Sequence, residues 1–190
     1  MKISYQKGRM VVDSDYSTEF IKGAKRLNGQ WNGEAWVFDE RDKDRVNELL
    51  FNVYGQNELQ TDDTVEVQVS LDALGKIEKA LELFGRVLAV RFNRDQPVKL
   101  HPSVILLQGD FPKRGGSMNY PRLAPEQGTI LLVRDVPFSL YLKAKEQFAA
   151  AISLTETSQK KESMEALKEE KERLLQRLAE IEHLLNEACH

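Results

Sequence analysis

Residues 29–38, Gly-Gln-Trp-Asn-Gly-Glu-Ala-Trp-Val-Phe, leave the backbone few choices. Asn32-Gly33 is a hairpin-turn pair between two runs of strand-forming residues, so the segment reads as a tight antiparallel hairpin. Alternation by two puts Trp36 and Phe38 on one face, which one buried sheet side requires. Trp31, Trp36 and Phe38 are therefore read as core before they are read as a stacking platform for bases. The flanks fit the hairpin. Ile3-Ser4-Tyr5 and Met10-Val11-Val12 read as strands around a Lys7-Gly8 turn. Ser17 or Asp15 can cap a helix running to about Leu27, with Phe20, Ile21, Ala24 and Leu27 on one face and a stop at Asn28-Gly29, where the glycine is expected to take the left-handed cap conformation. Asp39 or Asp42 starts a second helix carrying Val46, Leu49, Leu50 and Val53 to Tyr54-Gly55. The expectation for 1–57 is a β-β-α-β-β-α unit, about the smallest size that closes a core alone.

The pattern Phe20…Lys25-x-Leu27-x-Gly29-x-Trp31-x-Gly33-x-x-Trp36-x-Phe38, then Val46-x-x-Leu49-Leu50 and Tyr54-Gly55, resembles the HARP-like module. Such modules stand beside annealing helicases, where they assist nucleic-acid binding, and they open many uncharacterised proteins of plasmids and integrative elements. The resemblance covers about a quarter of the chain. It implies a nucleic-acid-associated role on a mobile element.

A second segment, 60–137, opens with the polar linker Gln60-Thr61-Asp62-Asp63. Thr64–Val69, Arg86–Phe92, Val104–Leu107 and Thr129–Val133 read as strands, with turns at 93–97, 101–102 and 125–128. Leu74, Ile77, Leu81 and Phe84 keep a helical spacing that ends at Gly85. The segment is thus a β-rich domain with one helix on its sheet, and the whole chain is α+β. Phe84-Gly85-Arg86, Arg94-Asp95, Leu107-x-Gly109-x-Phe111, Gly115-Gly116-Ser117-x-Asn119, Gly128-Thr129 and Arg134-Asp135-Val136-Pro137 are similar to signposts of the same mobile-element proteins. Asn93-Arg94-Asp95-Gln96-Pro97 departs from the Gly-Arg-Asp-Ser-Gly type of turn that those relatives favour.

Charge is unevenly spread. The chain carries −3, yet residues 1–150 are balanced and 151–190 account for the whole excess. Between 86 and 122, seven basic residues face only Asp95 and Asp110, a local +5. Such an excess is a footprint for phosphate or an acidic protein surface, or simply the wet face of strands. The seventeen residues 111–127 are long for a loop without periodicity. They present Lys113, Arg114, Asn119, Tyr120 and Arg122 around Gly115-Gly116, where successive N–H groups can form an anion nest. The Gly-Lys-Ser/Thr ending of a Walker loop is absent. Arg91, Arg94, Lys113, Arg114, Tyr120 and Arg122 are the candidate contacts to nucleic acid or a partner.

The third segment, 138–190, is expected to be helical. Pro137 can open a helix at Phe138, with Tyr141, Leu142, Lys145, Phe148 and Ile152 on one stripe. From about 158 a heptad pattern follows, with Met164, Lys171, Leu178 and Leu185 at a and Leu167, Leu174 and Ile181 at d. Residues 153–158 break the two stripes, and Ser158 is a candidate cap. Leu175 and Leu184 widen the second stripe. Met164, Leu167, Leu174, Leu178, Ile181 and Leu185 would serve self-association into a homo-oligomer, a homodimer or, since the widened stripe suits it better than a strict dimer, a bundle; the alternative is a hairpin folded on helix 138–152.

Much chemistry is missing. There is no nucleophile elbow, His-Glu-x-x-His or Cys-x-x-Cys. The three histidines and lone Cys189 suggest no structural metal, and no cofactor is expected. Asp62-Asp63…Glu66-Val67-Gln68 faintly resembles a nuclease cluster, with glutamine where lysine belongs. No run reaches the roughly eighteen apolar residues of a membrane span, and no signal core opens the chain, so a cytoplasmic protein is expected. Two functions remain: a non-enzymatic accessory protein of a mobile element that binds nucleic acid or a nucleoprotein, or an anti-CRISPR-like inhibitor of a host defence nuclease.

Overall fold

A computed structural model describes residues 1–158 and 171–177. Met1–Ser153 forms one compact unit and Leu154 begins a second. Among the described residues the architecture is α+β, with three sheets built mainly from antiparallel pairs. No helix among the described residues is long and apolar enough to cross a membrane.

The amino-terminal elements follow the expected order: β1 (Lys2–Gln6), β2 (Arg9–Asp13), α1 (Thr18–Arg26), β3 (Gln30–Trp31), β4 (Trp36–Asp39) and α2 (Lys43–Tyr54). Their sheet runs β1-β2-β4-β3. Met10, Val12 and Phe38 bury one face of it, and Phe20, Ala24, Val46, Leu50 and Val53 meet them from the helices. Each such side chain contributes on the order of 1.5–3 kcal/mol by leaving water. Ser17 caps α1, its hydroxyl accepting the Phe20 N–H at 3.2 Å.

The stop of α1 differs in detail from the expectation. Asn28, not Gly29, takes the left-handed conformation, at φ 55°. Gly29 N–H reaches Ala24 O at 2.8 Å and Asn28 N–H reaches Lys25 O at 3.2 Å, a complete Schellman motif. Glycine is needed at 29 for another reason: a Cβ there would lie 2.4 Å from the Phe38 ring. The hairpin also has a longer turn than two residues. Trp31 pairs with Trp36, and the Asn32 side chain closes the connection by accepting the N–H groups of Glu34 and Ala35 at 2.9 and 2.8 Å. Phe38 is buried and Trp36 half-buried against the core, whereas Trp31 is 54% exposed and does not join it.

The second sheet contains β5 (Thr64–Ser70), β9 (Val104–Gln108), β10 (Ile130–Pro137) and β11 (Ile152–Leu154), in the order β11-β5-β10-β9. Val65, Val67 and Val69 alternate inward against Leu131, Val133 and Val136. The third joins β6 (Ala80–Leu83), β7 (Arg86–Val90) and β8 (Lys99–Leu100). The helix expected over 74–84 is absent. Its place is taken by a one-turn 3-10 segment, Asp72–Leu74, and by β6. Phe84 and Gly85, both at positive φ, form the two-residue turn of a β6–β7 hairpin, and a Cβ on Gly85 would strike the Val53 carbonyl.

The polar stretch 60–63 is pinned. Asp62 N–H donates to Gly55 O at 2.8 Å, and the Asp62 carboxylate accepts the Ser139 N–H at 2.7 Å, capping α3 (Phe138–Gln147). That role accounts for one carboxylate of the nuclease-like run; Glu66 pairs with Arg134 at 3.5 Å. α3 starts at Phe138 as expected but ends at Gln147, and Ile152 belongs to β11 rather than to the helix. Leu140 and Tyr141 are its buried residues, while Leu142 is exposed. A further helix opens at Glu156, and Thr155, whose hydroxyl accepts the Ser158 N–H at 3.4 Å, does the capping expected of Ser158. Of the heptad residues, Lys171 and Leu174 lie on the described helical stretch 171–177, where Leu174 and Leu175 are exposed. Met164, Leu167, Leu178, Ile181 and Leu185 lie outside the described residues.

Candidate functional site

The loop 111–127 is organised by a residue that never reaches the surface. Arg91 follows β7 directly and is fully buried. Its Nε donates to Arg122 O at 2.7 Å, Nη1 to Gln96 O and to Lys113 O at 3.2 Å, and Nη2 to Pro112 O at 2.7 Å and Leu123 O at 3.3 Å. A guanidinium offers five N–H groups in a fixed fork and no acceptor, so carbonyls facing inward from several turns match it. Burial pushes its pKa below the ordinary arginine value. Arg91 is thereby corrected from a candidate contact to a brace: its donors are spent on backbone, and no face of it is open to a phosphate.

Around this brace the loop is ordered. Gly115 N–H donates to Arg94 O at 3.1 Å, tying the loop to the 93–97 turn. Arg122 N–H returns to Gly115 O at 3.1 Å, Gly116 bridges Pro121, and Ser117 N–H meets Tyr120 O at 2.9 Å. The result is a small hairpin with Met118 and Asn119 at its tip. A Cβ on Gly115 would stand 2.3 Å from Arg122 O and 3.0 Å from Arg91 Nε, so the backbone passes where no side chain fits. The amides of Gly115 and Ser117 point at carbonyls, and the anion nest read from the two glycines is not formed by them. Beyond the hairpin, Leu123 is buried and its N–H donates to Glu78 O at 2.9 Å; Thr129 Oγ1 donates to Glu126 O at 2.6 Å.

The outward side chains differ in how committed they are. Arg94 and Arg114 both hold Asp95, at 3.0 Å each, and their charges keep its carboxyl below the usual range, Arg94 through direct hydrogen bonds first. Arg114 nevertheless stays 76% exposed. Arg122 stands 3.9 Å from Glu78, a loose pair. Lys113 is exposed and makes no ion pair among the described residues. Tyr120 and Met118 are each 73% exposed at the hairpin tip. Lys113, Arg114, Tyr120 and Arg122 are therefore carried on one braced hairpin, with Arg94 beneath it. Arg86, counted in the local +5, is withdrawn as well: Nη2 donates to the carbonyls of Arg134 and Asp135 at 2.6 and 3.0 Å, across the bulge of β10.

One arrangement escaped the sequence. His101 Nδ1 lies 2.8 Å from Ser103 Oγ, and its Nε2 lies 3.9 Å from the Asp15 carboxylate. Ser103 N–H also points at Nδ1, at 3.2 Å, and Val104 N–H donates to His101 O at 2.9 Å. Nδ1 is thus the acceptor of a local turn, with the ring aimed at the segment before α1. Only the short spacing His101-Pro102-Ser103 hinted at this; nothing near Asp15 did. Among the described residues no three His, Cys, Asp or Glu side chains cluster as metal ligands. No family model, curated protein or solved structure matches the chain.

Proposed function

We propose that the chain is a non-enzymatic accessory protein that binds nucleic acid or a nucleoprotein through the 111–127 hairpin. The observation that carries this reading is the cluster of exposed Lys113, Arg114 and Arg122 beside exposed Tyr120, on backbone held from within by Arg91. Cations on a stiff hairpin contact phosphates without paying to order a loop, and an aromatic side chain among them can stack on a base. The resemblance of residues 1–57 to HARP-like modules points the same way and motivates a mobile-element setting. The heptad pattern of the tail supports self-association, which would double the site.

The test is fluorescence anisotropy with labelled single- and double-stranded DNA and RNA at two salt concentrations. Binding that weakens with salt is expected, and each of Lys113→Ala, Arg114→Ala and Arg122→Ala should lower the logarithmic salt slope by about one. Absence of binding to all four at low salt overturns the proposal.

A second reading draws on the same tip. Met118 and Tyr120 stand clear of the surface, as anchors for a protein pocket do, and suit an anti-CRISPR-like inhibitor of a host defence nuclease. Capture of such a nuclease that fails with Tyr120→Ala, together with silence toward nucleic acid, would select it.

A further inference from the structure

The face of the amino-terminal sheet carries a groove of about 420 Å³ that the hairpin at 111–127 does not touch. Its walls are Phe20 and Ile21 of α1, Trp31 of β3, Trp36 of β4 and Tyr16 from the segment before α1. Trp36 meets Phe20 edge-on at 6.2 Å and 85°, which fixes its indole; Trp31 leans on Trp36 at 5.9 Å and 56°. The outer walls are unfilled: Trp31 is 54% and Tyr16 63% exposed. Two large exposed aromatics at the mouth of an apolar recess gain nothing from the core and leave a costly surface in water.

We infer that this groove stacks one unpaired base of a single-stranded nucleic acid. The inference deepens the proposed function by naming the unpaired strand as its ligand class, and it rests in part on that reading. Size and shape argue for it. The volume falls toward the low end of small-ligand pockets, about 300–1,000 Å³, too tight for a helix and suited to a flat ring with its sugar. Charge argues for it too. Lys25 lines the groove and makes no ion pair among the described residues, and Arg26, next to it in the chain, is exposed. A peptide's apolar anchor has no use for these cations, whereas the phosphate attached to a stacked base does. Asp15 also lines the groove, and its carboxylate can accept from a base amino or imino group. A duplex keeps its bases paired and cannot enter.

The chain's two tryptophans, Trp31 and Trp36, both line the groove, so intrinsic emission reads its occupancy directly. Full-length protein is titrated with unlabelled oligothymidylate and with blunt duplex DNA, alongside anisotropy of the labelled strands. Oligothymidylate is expected to quench and shift the emission while duplex leaves it unchanged. Trp31→Ala should weaken oligothymidylate binding about 5- to 150-fold, the loss of one stacked base, with duplex affinity preserved and Trp31→Phe recovering most of it. Trp31 is exposed, and a melting temperature for each variant confirms the fold. Oligothymidylate binding in anisotropy with unchanged emission, or undiminished by Trp31→Ala, overturns the groove and leaves the hairpin standing. Equal quenching by duplex overturns the preference for unpaired bases. Quenching by an aromatic peptide with no response to oligothymidylate assigns the groove to protein and overturns the inference. No binding of any nucleic acid by either readout fails both proposals together.

Discussion

Taking a guanidinium wholly out of water costs several kcal/mol, and Arg91 recovers that cost because its N–H groups meet the carbonyls of Gln96, Pro112, Lys113, Arg122 and Leu123. The same bonds satisfy buried carbonyls that no strand could pair. Arg91→Met should therefore destabilise the chain by at least about 3 kcal/mol in urea denaturation, and should raise amide exchange in 111–127 before elsewhere. Arg91→Lys should rescue little, since one ammonium cannot reach carbonyls spread over three turns. His101 makes the second residue-scale case. Burial holds its pKa below the ordinary value, with Arg86 adding to the shift and Asp15 opposing it. The unfolded histidine, near pH 6.5, thus binds its proton before the folded one does. Stability should be full above about pH 6.5 and fall as pH drops from there through the depressed folded value. A urea-midpoint profile over that window should flatten in His101→Gln; an unchanged slope would assign it elsewhere.

Elements behave as their local sequence dictates where one signal speaks alone. The end of α1 is such a place. Asn28 tolerates the left-handed conformation and Gly29 makes room for Phe38, so Gly29→Ala should cost about 1–3 kcal/mol by overpacking, whereas Asn28→Gly should be near neutral. Melting temperatures compare the two. The β-β-α-β-β-α order was legible for the same reason: caps, hairpin turn and apolar stripes all agree. Residues 74–84 were not, because two signals conflict. Leu74, Ile77, Leu81 and Phe84 keep helical spacing, but Leu81 and Leu83 also alternate, and the Phe84–Gly85 turn with its positive φ values decides for a hairpin. Propensity lost to tertiary pairing with β7. α3 likewise stops at Gln147 because Ile152 finds a place beside β5. For the candidate site, loop length and glycine content singled out 111–127, which the structure shows as an ordered hairpin. They could not mark Arg91 as its brace, since an arginine in sequence reads as surface. Nor could they show Trp31 outside the core, because β3 has only two residues and alternation over so short a strand assigns no face.

At the scale of the whole molecule the charge balance becomes an argument about assembly. Residues 1–150, nearly all of the compact unit Met1–Ser153, are neutral, while 151–190 holds the entire −3. A body with few uncommitted cations binds a polyanion weakly as a single copy, because each phosphate contact contributes little at physiological salt. Joining copies changes that without any new contact: a second site on the same strand acts at high effective concentration, and avidity can exceed either affinity by about 10²–10⁴. The exposed Leu174 and Leu175 on the stretch 171–177 are consistent with a helix that has apolar surface to offer. Ending the chain after Thr157 should leave the melting transition of the body nearly unchanged, lower the solution mass to that of a monomer, and weaken binding to long strands more than to short ones. Light scattering and the anisotropy titration read these separately. A truncated chain with the same number of copies as the full one would overturn self-association through the tail.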